Sequence, residues 1–421
     1  MCSPFFKTFL RAKMKILKFC HIYVKAMEVL KMSIQNYKTR TQYICRKNIS
    51  AAGYWPIGID VGYSGVKAFS PNCVLCFPSF ARPRKSGIVE VGKPRPSDIL
   101  YRSSDGVVWN VGELANNSLR PDDVDDSVNT LYSRYRYDSD MFRVLVQTGL
   151  AMAMRPNHVG AMRPEDTIIV QSGLPAKYLN SDAQPLMEVL SGKHQFEVKF
   201  GNEEWSKYEF EIDIQNVRIT QQPMGAYYSL CLDNKADMTP LGKKIFRAGE
   251  VVLLDAGFGT TDSCRISAKT HDVLDKETFP AKAMMEIFRR TTEEITERYG
   301  TEIAVHSLQP YLQSGAIPVF DRKARTKKEV SFEDILKKHT KNVGDELLDR
   351  LELAYNSFLE IDYIATAGGT GVAWFEQIVE RYKDMDGLRI IQCSQNDNLP
   401  EIYDVVRGYY LFMAAALRRN R

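Results

Sequence analysis

Two stretches of this sequence carry the residue types that grip a metal-bound phosphate, each built around Asp-x-Gly. Ile57-Gly58-Ile59-Asp60-Val61-Gly62-Tyr63-Ser64-Gly65-Val66-Lys67 is an apolar run that ends on an aspartate, turns through glycine and serine, and returns to a lysine. Val251-Val252-Leu253-Leu254-Asp255-Ala256-Gly257-Phe258-Gly259-Thr260-Thr261-Asp262 repeats the device but returns to a second aspartate. A short apolar run closed by turn residues reads as a buried strand, so each carboxylate falls where its strand runs out. Glycines let backbone N–H groups come close to an anion. Carboxylate, turn amides and hydroxyls together suit a magnesium–phosphate group. Two copies suggest a duplicated fold with a nucleotide clamped between its halves.

A third device is Gly368-Gly369-Thr370-Gly371, which follows the apolar run Tyr363-Ile364-Ala365-Thr366-Ala367 and leads into Val372-Ala373-Trp374-Phe375. A strand–glycine–helix junction exposes backbone amides that can receive a phosphate or the flat edge of a nucleoside. It is not the G-x-G-x-x-G dinucleotide fingerprint, and the chain has no G-x-x-x-x-G-K-[ST] loop. Each device alone is common; the order and spacing of the three along one chain carry the signal.

The elements that must position these residues alternate between strand and helix. Val74 to Ser79, Thr167-Ile168-Ile169-Val170, Val217 to Thr220 and Leu388 to Cys393 read as strands, and Phe196 to Ile214 alternates around a Gly201-Asn202 turn. Phe142 to Ala153, Pro223 to Leu232, Lys282 to Tyr299, much of Phe332 to Ile361, and Tyr403 to Arg418 read as helices, Pro223 suiting a first helical turn. Residues 81–128, rich in Pro, Gly, Ser and charge, read as an inserted β-rich subdomain or mobile surface, and Arg322 to Lys328 as a solvated basic loop. The pattern predicts an α/β protein with two sheets in two similar halves.

Bulk properties narrow the field. The formal net charge is +4, but residues 1–50 hold eleven Lys or Arg against one acid, Glu28, which leaves the remaining 371 residues net acidic. Such a body does not look like a direct nucleic-acid binder. Eight scattered cysteines form no disulfide framework and fit a reducing cytoplasm. Cys73-x-x-Cys76 has no second pair and reads as two small strand residues. No uncharged apolar run approaches the roughly 18 residues of a membrane helix. Residues 1–52 could form a basic amphipathic helix that touches a membrane surface or nucleic acid. They also read as a floppy extension, or as sequence upstream of a start at Met27 or Met32.

The residues quoted above resemble the actin-like ATPases, a superfamily shared with sugar kinases and heat-shock chaperones. Asp60-x-Gly62 through Lys67 is similar to their first phosphate motif, Asp255-x-Gly257-x-Gly259-Thr260-Thr261-Asp262 to the second, and Gly368-Gly369-Thr370-Gly371 to the adenosine motif. Ser172-Gly173-Leu174-Pro175 looks like the strand end before the first connecting region, and Val405-Val406-Arg407-Gly408-Tyr409 is similar to the C-terminal helix of the plasmid-segregating ParM group. The resemblance covers roughly residues 56–421 and implies two duplicated ribonuclease H-like domains around a nucleotide cleft. Residues 53–225 with 402–421 would form domain I and residues 226–401 domain II, with 1–52 as an extension.

The resemblance also implies roles. Asp60 and Asp255 would hold Mg2+ through water, consistent with an ion that needs only one or two carboxylates. Gly62, Tyr63, Ser64, Gly65 and Lys67, with Gly257, Phe258, Gly259 and Thr260, would grip the phosphates. Gly368, Gly369 and Thr370 would face the nucleoside; Thr370 stands where many relatives have a third glycine, which leaves ATP or GTP open. Gln222, or Gln221 if the alignment shifts by one, would orient the attacking water, with Asp255 as its catalytic companion. The family reading is a cytoplasmic ATPase that polymerises head-to-tail and moves plasmid DNA through a ParR-like adaptor bound to the centromere, or a cell-shape actin at the membrane. The rivals are a sugar- or acetate-type kinase, which needs an Asp base that no motif supplies here, and a chaperone, which adds a long region where about 50 residues follow Gly371. A non-catalytic scaffold is disfavoured by Asp60, Lys67 and Asp255.

Overall fold

The structure is a computed structural model that describes residues 39–84, 93–118, 136–175, 177–305, 308, 311–312, 314–321 and 325–419. Its two main sheets share one topology. In the first, strands Cys73–Pro78, Gly65–Phe69, Tyr54–Val61, Thr167–Leu174 and Val217–Gln221 lie side by side in that order. The first three form an antiparallel meander and the last two join in parallel. In the second sheet Val273–Phe279, Thr261–Ile266, Val251–Ala256, Tyr363–Ala367 and Arg389–Gln392 repeat this order and these directions. Each half therefore places its Asp-x-Gly hairpin at the junction between the meander and the parallel strands.

The unbroken apolar runs are explained by burial on both faces of each sheet. Side chains alternate across a strand. Trp55, Ile57, Ile59 and Val61 fill the core of the first half, while Gly58, on the other face, lies under the Asp404–Arg419 helix. A β-carbon at Gly58 would sit 2.8 Å from the Val406 carbonyl oxygen, so only glycine lets the helix this close. Asp60 is the next residue on that same face. In the second half Val252, Leu254 and Ala256 fill one core, and Val251 and Leu253 turn toward the helices between the halves. Asp255 is next in that row. Alternation alone thus turns both aspartates toward the opposite half. Full burial of one such aliphatic side chain contributes about 1.5–3 kcal/mol, which fixes the register.

Two helices cross between the sheets, Gln222–Cys231 and Asp404–Arg419. Gly225 and Gly408 meet at the crossing: a β-carbon on Gly408 would lie 1.7 Å from the Gly225 carbonyl oxygen. Beside them Arg407, 1% exposed, donates to Asp397 Oδ2 at 3.1 Å, Asn234 Oδ1 at 2.8 Å and the Ser229 carbonyl at 2.9 Å. A buried guanidinium so surrounded is costly to unpair.

Among the described residues there are also two smaller sheets. Ala81–Pro83, Ile99–Ser103 and Val108–Val111, from the stretch expected to be β-rich, join Gly192–Phe200 and Ser206–Ile212 in one sheet of the first half, while residues 85–92 and 119–128 of that stretch lie outside the described residues. Ala316–Asp321 and Thr326–Ser331 form a hairpin in the second. That hairpin corrects the expectation of a loop over Arg322–Lys328, because Thr326, Lys327 and Lys328 are strand residues; residues 322–324 lie outside the described residues. The boundary at residue 52 is also corrected: Gln42–Cys45 pairs antiparallel with Cys73–Pro78, and Ala51 is buried. The helix expected within residues 1–38 lies outside the described residues. Cys73 and Cys76 are buried strand residues with thiols pushed up by burial. Among the described residues no helix is long and apolar enough to cross a membrane.

The glycine crossing yields a test. Gly408→Ala forces the two helices apart and is expected to destabilise the protein by about 3 kcal/mol through overpacking. Urea unfolding measures it, and a loss below about 1 kcal/mol would contradict the close crossing.

Candidate functional site

The two hairpins are built on the same register. Asp60 stands opposite Lys67 across the first, and Asp255 opposite Asp262 across the second. The Gly62 N–H donates to the Gly65 carbonyl at 3.2 Å, and the Gly257 N–H donates to the Thr260 carbonyl at 2.9 Å. Lys67 and Asp262 therefore occupy equivalent places with opposite charge. Lys67 Nζ donates to Asp60 Oδ2 at 2.9 Å. Burial pulls the Lys67 ammonium down, but the Asp60 carboxylate beside it outweighs this, so it titrates above the usual lysine range.

The second hairpin returns to a carboxylate instead of a cation, and the Lys177 charge acts on Asp262 from outside the hairpin. Like charges directly opposed on a sheet repel. Burial first, then the Asp262 and Asp60 carboxylates, push Asp255 up to about 7, against the opposing pull of Lys67 and of the Gln222 amide. Gln222 Nε2 donates to Asp255 Oδ2 at 2.9 Å. Asp262 is raised mainly by burial and is held by Thr278 Oγ1 at 2.7 Å and Thr260 Oγ1 at 3.1 Å.

Both hairpins face one cleft of about 770 Å3, within the usual range for a small-molecule site. Asp60, Gly62, Tyr63, Ser64 and Lys67 line it from the first half, and Asp255, Gly257, Phe258, Gly259 and Thr260 from the second. Gln222 lies between them, and Gly368, Gly369 and Thr370 form a further wall. Gly368 needs to be glycine twice over: its φ is +78°, and a β-carbon would sit 2.7 Å from Asp255 Oδ1. The Thr370 hydroxyl donates to the Gly257 carbonyl at 2.8 Å, which ties the third device to the second hairpin.

Two sequence candidates are not brought to the cleft. Gly65 closes its hairpin, and a β-carbon there would meet Thr39 Cγ2 at 2.8 Å; its constraint is packing. Gln221 ends the Val217–Gln221 strand with its Oε1 buried, and of the glutamine pair Gln222 faces the cleft. Phe258 packs its ring on the second core, 5.9 Å from Phe288. Sequence reasoning gave no role to Asp262, Arg136 or Asp182, which also line the cleft. Asp262 was visible as the end of its motif; Arg136 and Asp182 carry no motif.

The residues present fit a magnesium ion. Among the described residues no three His, Cys, Asp or Glu side chains are grouped closely enough to hold a metal by themselves. Magnesium keeps most of its waters and needs one or two carboxylates beside a phosphate. Burial raises Asp255 most, and the repulsion from Asp262 and Asp60 that adds to it is a field a divalent cation would relieve.

Residues 58–225 match the family model described as the actin like proteins N terminal domain. The chain has the actin-like fold. A non-polymerisable quadruple mutant of the pCBH ParM superposes with a TM-score of 0.64 at 18% identity, over 86% of this chain and 99% of that one. A 15-stranded ParM filament from Clostridium botulinum gives 0.60 at 18% identity, over 85% and 98%. An archaeal actin homologue gives 0.60 at 16% identity, over 87% and 99%, and a complex of that homologue with ADP gives 0.59 at 15%, over 87% and 99%. No curated protein matches the sequence. The shared topology of the two sheets is the duplication that the actin-like fold requires.

The Asp60–Lys67 pair yields the second test. Lys67→Met leaves the Asp60 carboxylate buried without its cation and is expected to cost about 3 kcal/mol of stability. Adding Asp60→Asn should restore part of that loss in urea unfolding. A double variant no more stable than Lys67→Met alone would contradict the pairing.

Proposed function

We propose that this chain is a filament-forming actin-like ATPase of the plasmid-segregating kind. The observation that carries the reading is the pair of in-register Asp-x-Gly hairpins facing one cleft, with Lys67 on one side and Gln222 hydrogen-bonded to Asp255 on the other. Lys67 and the turn amides of both hairpins bind the β- and γ-phosphates of ATP, and the Gly368–Thr370 turn receives the nucleoside. Asp60 and Asp255 would hold Mg2+, which would supply charge neutralisation at the phosphates. Phosphoryl transfer asks the protein chiefly to position the nucleophile and to stabilise spreading charge. The Gln222 amide, fixed by Asp255, orients the attacking water.

Loaded protomers associate head-to-tail through heterologous contacts, which do not close and so give polymers. Hydrolysis destabilises the filament. The acidic body suits an indirect link to DNA through a ParR-like adaptor at the plasmid centromere, in the cytoplasm. The likeness to ParM structures supports this reading through the fold alone.

Phosphate release and pelleting, followed together on adding Mg-ATP, test it. Gln222→Ala should slow turnover about 100-fold, the order expected for losing a group that positions the reacting water, while pelleted polymer persists longer than wild type. Unchanged turnover in the variant would contradict the role of Gln222. Transfer of phosphate to a sugar or acetate without polymer would replace the reading with a kinase.

A further inference from the structure

Arg136 stands at the wall of the cleft, in the short turn Arg136–Asp138 that leads into the Asp140–Met154 helix. Only 9% of it is exposed. Three aromatic rings surround its guanidinium carbon, Tyr63 at 4.8 Å, Tyr137 at 5.1 Å and Phe142 at 5.2 Å. Its Nη1 is buried with no hydrogen-bond partner among the described residues. Ring faces stabilise the charge of a guanidinium, but they leave N–H groups at its edge unsatisfied, and buried polar groups are rarely left so.

The position of Tyr63 says what the missing partner is. Tyr63 belongs to the first phosphate turn, and its ring lies 3.7 Å from where a side chain on Gly259 would begin. It therefore reaches from the first glycine turn to the second. Arg136, packed on that ring, lines the same cleft as both turns. An arginine fork matches phosphate oxygens and is worth most where water is excluded. Lys67 is shared between Asp60 and the phosphates, so a second cation adds to the charge that meets the far end of a triphosphate.

We infer that Arg136 binds the terminal phosphoryl group in the cleft, as the γ-phosphate before cleavage and as orthophosphate after it. The inference rests on the nucleotide-binding reading above. It makes Arg136 the residue by which the protein distinguishes a triphosphate from a diphosphate, with Tyr63 relaying its position to both turns.

Equilibrium titrations test it, using a non-hydrolysable ATP analogue with magnesium, Mg-ADP, and Mg-ADP with added orthophosphate, on the full chain. Arg136→Gln should weaken the triphosphate analogue at least tenfold and leave ADP within about twofold. Arg136→Lys should recover part of the loss, and serves in its place if the glutamine variant does not fold. A gain in ADP affinity from orthophosphate that is present in wild type and absent in the variant assigns the free anion to Arg136 as well; a loss confined to the analogue assigns the γ-phosphate alone. A merely structural arginine would weaken both nucleotides alike, and that result, or no change in either, overturns the inference. Wild-type protein that binds neither nucleotide would instead overturn the nucleotide-binding reading itself.

Discussion

Where the two hairpins meet, the carboxylates of Asp60, Asp255 and Asp262 come together. Lys67 is paired with Asp60, while Asp255 and Asp262 oppose each other across the second hairpin, where Lys177 acts on Asp262 alone. The excess of negative charge lies in a place that burial makes expensive, which is why Asp255 titrates near neutral pH. Carboxylates gathered in this way suit a divalent cation carrying phosphate, the ligand proposed above. The duplication of the fold produces the imbalance: the same register is used twice, with a lysine at the return position of one hairpin and an aspartate at that of the other.

The rest of the molecule keeps those carboxylates facing one another. Strand alternation turns Asp60 and Asp255 toward the opposite half, and the glycines at 58, 225 and 408 let the two crossing helices lie against the sheets and against each other. The C-terminal helix packs under the first hairpin, and its Arg407 reaches the Ser229 and Leu232 carbonyls at the end of the other helix. The same pair of helices crosses between the halves and, through Gln222 and Val405, lines the cleft.

Much of this was legible in the sequence, because the central strands are buried on both faces and appear as apolar runs that stop at an aspartate. The two hairpins, the strand–glycine–helix turn at 368–371 and the long helices were readable for that reason. Other parts lacked such a signal. Gln42–Cys45 is only half buried and sits among lysines and arginines, so a strand there looked like part of a basic tail. Thr326–Ser331 is exposed along most of its length, so its alternation has no apolar face. Arg136 comes to the cleft through packing against Tyr63, Tyr137 and Phe142, and of these only Tyr63 belongs to a recognisable motif. Gly65 read as a phosphate-turn residue because glycine serves both for anion approach and for tight packing, and sequence alone does not separate the two.

The central claim is that a magnesium nucleotide completes this cleft and thereby switches the protein into a polymer. Right-angle light scattering of the purified chain on adding Mg-ATP, beside Mg-GTP and the Asp255→Ala variant, tests it most directly. The account predicts a rise with the wild-type protein that decays as phosphate is released, and no rise with the variant. A flat trace over a broad range of protein concentration, with ATP turned over all the same, would contradict it.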